Sequence, residues 1–169
     1  MAARLVLTGF DDAGRSVVVH DAGVDAVAMP GAGHLYPFWS ANEPATYPSD
    51  GLSPKAPEFF PPLNGSRFFT MVLTPQEGAA SVQDTDGEKL GADLAAAMDH
   101  DNPGMHATDT TDFAIVTQGS VGLELDEGAE VILHTGDAVV QNGTRHKWRV
   151  VGDTEAVITF VLIGAHRTP

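Results

Sequence analysis

In the C-terminal third of the chain, apolar side chains recur in short, largely alternating runs, and each run ends in a polar cluster that favours a turn. The runs 111–118, 121–125, 129–133, 137–140, 145–151 and 155–163 are separated by Gln118-Gly-Ser120, Asp126-Glu-Gly128, Thr135-Gly136, Gln141-Asn-Gly143 and Gly152-Asp-Thr154. A period of two marks a half-buried strand, and regularly spaced short strands bounded by Gly, Asn and Asp predict an antiparallel sandwich or barrel. Nearer the N-terminus, Leu5-Val-Leu7 and Val17-Val-Val19 flank the turn-rich connector 9–14 and predict a hairpin. Arg67-Phe-Phe-Thr-Met-Val-Leu-Thr74 predicts a further strand, stopped by Pro75. One segment has helical spacing: Leu90, Leu94 and Met98 fall at i, i+4 and i+8, which predicts a short helix over 88–98 ended by Asp99-His-Asp-Asn-Pro103. The expected fold class is all-β.

Residues 30–62 break this texture, because 8 of the 11 prolines lie there. Proline fixes φ and removes a backbone donor, so an extended arm with a short strand near 35–40 is expected. Its aromatic residues Tyr36, Phe38, Trp39 and Tyr47 suit an arm that covers a sheet or crosses to a partner subunit, with a plain surface loop as the alternative. The chain of 169 residues is long enough for one well-packed core. The expected organisation is residues 1–66 as hairpin and Pro-rich arm, packed on the barrel or on a partner. Residues 67–169 form the barrel, with 75–103 as an acidic insertion carrying the short helix.

Charge and cysteine content narrow the chemistry. Nine Lys and Arg stand against 23 Asp and Glu, a formal charge of −14, and residues 75–103 alone hold seven acids and one base. Binding to a phosphate backbone needs clustered cations, so no nucleic-acid partner is expected. No apolar stretch approaches the ~20 residues of a membrane span and the N-terminus lacks a signal-like apolar region, so no membrane partner and a cytoplasmic location are expected. With no cysteine, any metal must be held by His and carboxylate.

Strand parity sorts the seven histidines. In Arg145-His-Lys-Trp-Arg-Val150 the cations occupy odd positions, so His146 and Trp148 face inward together. In 104–116, His106, Thr108, Asp112, Ala114 and Val116 share one parity, which directs a histidine and a carboxylate toward the same interior. A buried, uncompensated carboxylate costs several kcal/mol. A divalent cation would offset that cost; pairing of Asp112 with a protonated His146 is the other reading, and an inward histidine can also be a hydrogen-bonded core residue. His20, His100, His134 and His166 sit at run ends or in turns and read as solvated, while His34 lies beside the aromatic arm.

At these residues the sequence resembles the cupin superfamily. Gly104-Met-His106-Ala-Thr108, Asp112 and Gly119 follow the spacing of its first motif, and Gly136-Asp137 with Gln141-Asn-Gly143-Thr-Arg-His146 follows its second. The combination His106-x-Thr108-x3-Asp112 with Gly136-Asp-x-Val-Val-Gln-x-Gly-Thr-x-His-x-Trp148 is similar to small stand-alone cupins described as oxidoreductases of secondary metabolism. The resemblance implies a double-stranded β-helix, the jelly-roll cupin barrel, and a metal held by His106, Asp112 and His146, which would also be the catalytic residues. Thr108, Val116, Trp148 and Trp39 would line the substrate pocket. Thr108 stands where many cupins carry a second metal histidine, so a two-histidine, one-carboxylate set is what remains. Such a set suits Fe(II) ahead of Zn, Mn or Ni. The activity implied is a metal-dependent oxidoreductase or dioxygenase acting on a small organic molecule. The alternatives are a lyase, dehydratase or isomerase, by metal Lewis-acid or metal-free acid–base chemistry, and a non-catalytic ligand-binding cupin. A homodimer formed through the N-terminal arm is expected.

Overall fold

A computed structural model describes residues 2–29, 31–52, 58–75 and 92–168. Eleven strands are arranged in antiparallel sheets: β1 Ala3–Phe10, β2 Ser16–Val24, β3 Val27–Met29, β4 Gly33–Ala41, β5 Ser66–Leu73, β6 Thr110–Gln118, β7 Ser120–Glu124, β8 Glu130–His134, β9 Ala138–Asn142, β10 Lys147–Val150 and β11 Ala156–Gly164. Among the described residues a single α-helix, α1 (Ala92–Ala97), lies within the predicted helical segment. Residues 88–91 of that prediction, most of the acidic insertion (76–91) and 53–57 of the arm lie outside the described residues. No described helix is long and apolar enough to cross a membrane.

Six strands form one sheet in the order β3-β4-β5-β11-β6-β9, and three form a second in the order β10-β7-β8. After β6 the chain crosses to the small sheet for β7 and β8, returns for β9, crosses again for β10, and ends in β11 between β5 and β6. This alternation between two facing antiparallel sheets is a jelly-roll arrangement. One apolar cluster joins the sheets: Phe69, Ala114, Val116, Ile158, Phe160 and Leu162 from the large sheet meet Val121, Leu123 and Leu133 from the small one. Trp148 of β10 meets Phe160 of β11 edge-on, with ring centroids 5.8 Å apart, a span from one sheet to the other.

The local sequence explains the main turns. Gly119 joins β6 to β7 at φ 74°, a left-handed conformation that L side chains avoid, and a Cβ there would lie 2.8 Å from the Glu155 carbonyl oxygen. The arm contributes more than a short strand. β4 is an interior strand, hydrogen-bonded to β3 on one side and to β5 on the other. The hairpin β1–β2 lies on the outward face of the large sheet, where Ala3 and Val24 pack against Tyr36, Val72 and Val157.

Candidate functional site

The site begins with two backbone hydrogen bonds. His106, just before β6, and His146, just before β10, exchange N–H···O bonds of 3.0 and 2.9 Å and form an isolated antiparallel bridge. His106 also bridges Met98, at the end of α1. The bridge brings the two imidazole rings to a centroid separation of 4.3 Å. Each ring is anchored in the same way, with Nδ1 of His106 3.0 Å from the Gly104 carbonyl and Nδ1 of His146 2.9 Å from the Thr144 carbonyl. A carbonyl only accepts, so both Nδ1 atoms carry the proton and both Nε2 lone pairs are left for another partner.

The turn before His146 is built for this position. Gly143 takes φ 62°, and a Cβ there would sit 2.9 Å from the Thr108 carbonyl oxygen, so glycine lets the two loops close on each other. Gln141, buried on β9, donates to the Thr144 carbonyl at 3.3 Å and to the Thr144 hydroxyl. Arg145 reaches outward to Asp99 and Asp126, tying the bridge to the segment after α1. Lys147 pairs with Glu124 and Arg149 with Glu130, so the odd positions face away from the core as parity predicts. His146 itself is only 3% exposed.

Electrostatics keep the pair neutral. Burial lowers the pKa of His106, partly opposed by the Gly104 carbonyl. Burial, and then the neighbouring His106, push His146 down to about 4. The alternative of an Asp112 carboxylate paired with a protonated His146 is therefore not realised, and no ion pair joins them among the described residues.

Asp112 lies on β6 with its side chain buried, directly across from Gln141 on β9 and Leu162 on β11. Thr108 and Thr110 precede it on the same parity; their hydroxyls lie 2.7 Å apart, and the Thr110 hydroxyl also bonds to the Asp112 carboxyl. Asp112 Oδ1 has no hydrogen-bond partner. Burial raises the Asp112 pKa, and the Thr110 hydroxyl only partly offsets this. The donor chemistry fits a divalent cation: two neutral imidazole nitrogens with anchored Nδ1 hydrogens, and a buried carboxylate oxygen lacking a partner. The geometry is less complete. Among the described residues no three His, Asp or Glu side chains gather closely enough to grip one ion, so the structure assembles His106 and His146 and leaves Asp112 outside that group.

A wall beside His106 comes from the arm. The Phe60 ring lies 6.4 Å from that of His106. Its backbone is held from two directions. Asp93 of α1 accepts the N–H groups of Phe59 and Phe60 at 3.0 and 2.7 Å. Arg67, 4% exposed, donates to the carbonyls of Glu58, Phe59, Phe60, Ala41 and Ser66 and to Asn42 Oδ1. A cavity of about 590 Å³ opens beside Phe60, lined by Pro61, Pro62 and Leu63 and by Thr108, Asp109, Thr110, His166 and Arg167; His106, His146 and Asp112 do not line it.

Of the expected pocket residues, Thr108 lines this cavity, Val116 is core, and Trp148 meets His146 edge-on at 6.1 Å. Trp39 is a correction. A bulge at Phe38 places Trp39 opposite Phe68, on the outward face of the large sheet, so it does not line the interior. Sequence reasoning missed Phe60, Asp93, Arg67 and Thr110. Only Thr110 left a signal, since it shares the inward parity of Thr108 and Asp112.

No family model matches the chain. A stretch of 45 residues, 27% of the chain, is 47% identical to 24% of a protein named Phomopsin biosynthesis cluster protein C' from Diaporthe leptostromiformis. A stretch of 53 residues, 31% of the chain, is 40% identical to 30% of Oryzines biosynthesis cluster protein J from Aspergillus oryzae. The matched stretches thus span less than a third of the length of these curated relatives. Similar solved structures include a Cupin 2 conserved barrel domain protein from Salinispora arenicola (17% identity, 82% of each chain, TM-score 0.46). An RmlC-like cupin from Shewanella frigidimarina is another (12% identity, 85% of this chain and 86% of that one, TM-score 0.46). These neighbours are cupins, and at such identities the likeness concerns fold alone. The two-sheet topology and its register, rather than the likeness, define the architecture described above.

Proposed function

We propose that this chain is a small-molecule tailoring enzyme of the cupin type, whose reaction centre is the His106–His146 pair holding a divalent metal. The observation that carries this reading is the twin anchoring of Nδ1 on backbone carbonyls. It fixes the tautomer and leaves both Nε2 lone pairs available to a partner, the second-layer arrangement usual for metal-ligating histidine. Asp112, whose Oδ1 lacks a partner but which stands outside the histidine pair, would have to move toward it to supply an anionic donor. Bound there, a metal of the Fe(II) type would leave coordination positions open for dioxygen and substrate, which suits an oxidoreductase or dioxygenase. The chain's own groups do the rest. Thr108 and Thr110 offer hydroxyls to a polar substrate atom, and Phe60 with Trp148 forms apolar walls that exclude water. The names of the partial relatives, both proteins of biosynthesis clusters, support a small organic substrate.

Acid–base catalysis by the same residues, giving a lyase, dehydratase or isomerase, is the second reading. The raised pKa of Asp112 favours it, since the shift makes its carboxyl a better match for proton exchange nearer neutral pH. The value of about 4 at His146 opposes it, because a base that weak is poorly matched to neutral pH, whereas a permanently neutral imidazole is what a metal needs. Elemental analysis of protein purified without a histidine tag separates the two. Stoichiometric iron supports the oxidoreductase reading; zinc, or turnover that survives complete chelation, moves the reaction to the second class.

A further inference from the structure

On β9 the inward positions are Val139, which packs on the core, and Gln141, which is buried. A carboxamide in such a place costs stability unless its donors are used. Its Nε2 reaches past the end of the strand to Thr144, where it meets the backbone carbonyl, at 3.3 Å, and the hydroxyl. A carbonyl only accepts, so the amide nitrogen, not the oxygen, is the atom that faces it. The same carbonyl takes the Nδ1 hydrogen of His146 at 2.9 Å. One backbone oxygen is thus shared between a strand residue and a histidine of the pair. The matching carbonyl of Gly104, which anchors His106, receives no second donor among the described residues.

We infer that Gln141 is a positioning residue for His146: acting through the Thr144 carbonyl, it holds the imidazole in the tautomer that carries its proton on Nδ1 and leaves Nε2 free. This rests on the reading of the histidine pair as a metal site and deepens it. The need for a clamp comes from the turn. Gly143, at φ 62°, precedes Thr144, and glycine leaves the chain around it freer to rotate than any other residue does. The Thr144 carbonyl must nonetheless stay aimed at a side chain two residues on, and no backbone donor holds it among the described residues. Which nitrogen of a neutral imidazole bears the proton is set by the hydrogen bond that it makes, so a carbonyl that turns away releases the tautomer. Gln141 suits the task. It is rooted on a strand rather than a loop, and being neutral it adds no charge beside a neutral pair. The two histidines are therefore held unequally, His146 through a strand side chain and His106 by a loop carbonyl alone.

Two-bond ¹H–¹⁵N correlation spectra of the histidine rings, recorded on the metal-free full chain at neutral pH, read the tautomers directly. Gln141→Met keeps the length of the side chain and deletes the donor. It is expected to turn His146 from the single Nδ1–H form into a mixture of both, with His106 and the far-UV circular dichroism unchanged, and to weaken Co(II) binding about tenfold in calorimetry. Thr144→Val removes the hydroxyl, keeps the carbonyl, and should leave the tautomer as it is. A His146 that stays wholly Nδ1–H in Gln141→Met would overturn the inference, as would Co(II) affinity that is unchanged although the tautomer has altered. An equal change at both histidines, or the same change in Thr144→Val, would also overturn it, since the substitution would then only loosen the loop. Should Gln141→Met not fold, the wild type decides: carboxamide hydrogens of Gln141 that exchange as slowly as core amides support the clamp, and exchange at the rate of an exposed carboxamide refutes it. A wild type that binds no Co(II) while the tautomers behave as expected would end the metal reading and leave the positioning of His146 standing.

Discussion

His146 links the site to the stability of the whole chain through pH. Its pKa lies near 4 in the folded protein against 6.5 for a solvated histidine. Between those values the unfolded chain binds a proton that the folded chain refuses, so stability falls as the solution is acidified. The contribution is complete above pH 6.5 and gone below pH 4. A difference of about 2.5 pKa units corresponds to about 3 kcal/mol, most of which is lost between pH 7.5 and 4.5. His106, lowered for the same reason, acts in the same direction, and Asp112, raised by burial, acts in the opposite one. Comparison with His146→Asn isolates the term, because the asparagine does not titrate. Urea unfolding with chelator present, at pH 7.5, 5.5 and 4.5, should show the wild type losing about 2–3 kcal/mol more than the variant, equivalent in thermal unfolding to a shift of about 5–10 °C in Tm. Parallel stability curves for the two proteins would show that His146 does not resist protonation, and the neutral-pair account would fail.

Other outcomes follow from the same geometry. Asp112→Asn should raise the melting temperature of metal-free protein at neutral pH, because an ionised carboxylate with a raised folded-state pKa costs stability; the gain should shrink as pH falls and wild-type Asp112 takes up its proton. Because Asp112 stands outside the histidine pair, the same variant should weaken metal binding less than His106→Ala does, and an equal loss would place Asp112 in the ligand set. Arg67→Met should cost about 3 kcal/mol or more in chemical denaturation, since it strands several buried carbonyls that now share one guanidinium. Asp93→Ala frees the Phe59 and Phe60 amides and should loosen the wall beside His106, read as faster amide exchange at 59–60 with the core unaffected. Thr108→His adds the imidazole absent from the first motif and should tighten metal binding; weaker binding would show that the Thr108–Thr110 hydroxyl pair is needed intact.

Much of the barrel is legible in the sequence because its cause is local. Period-two alternation and Gly-centred turns locate all six strands from Thr110 to Gly164, and parity alone turns His146 and Trp148 away from Arg145, Lys147 and Arg149. Trp39 shows where locality ends. Leu35 faces the core, and strict alternation would bring Trp39 in with it, but the extra residue at Phe38 rotates Trp39 to the outside. Phe60 is invisible for a different reason. Its position depends on Asp93 and Arg67, which act on it from 33 and 7 residues away in the chain. The pairing of His106 with His146 is set by a bridge between two loops, and a motif spacing implies it without showing the anchored Nδ1 atoms. Asp112 lies where parity puts it, inward and buried, yet the spacing overstates how closely it joins the two rings.

The central claim is that the two Nε2 atoms face one metal ion. Titration of chelator-treated, tag-free protein with Co(II), followed by its visible d–d absorption and by calorimetry, tests this most directly. The account predicts one ion per chain, with binding abolished in His106→Ala and in His146→Ala. Equal uptake by the wild type and both variants, or no uptake by a wild type that is folded by circular dichroism, would contradict it.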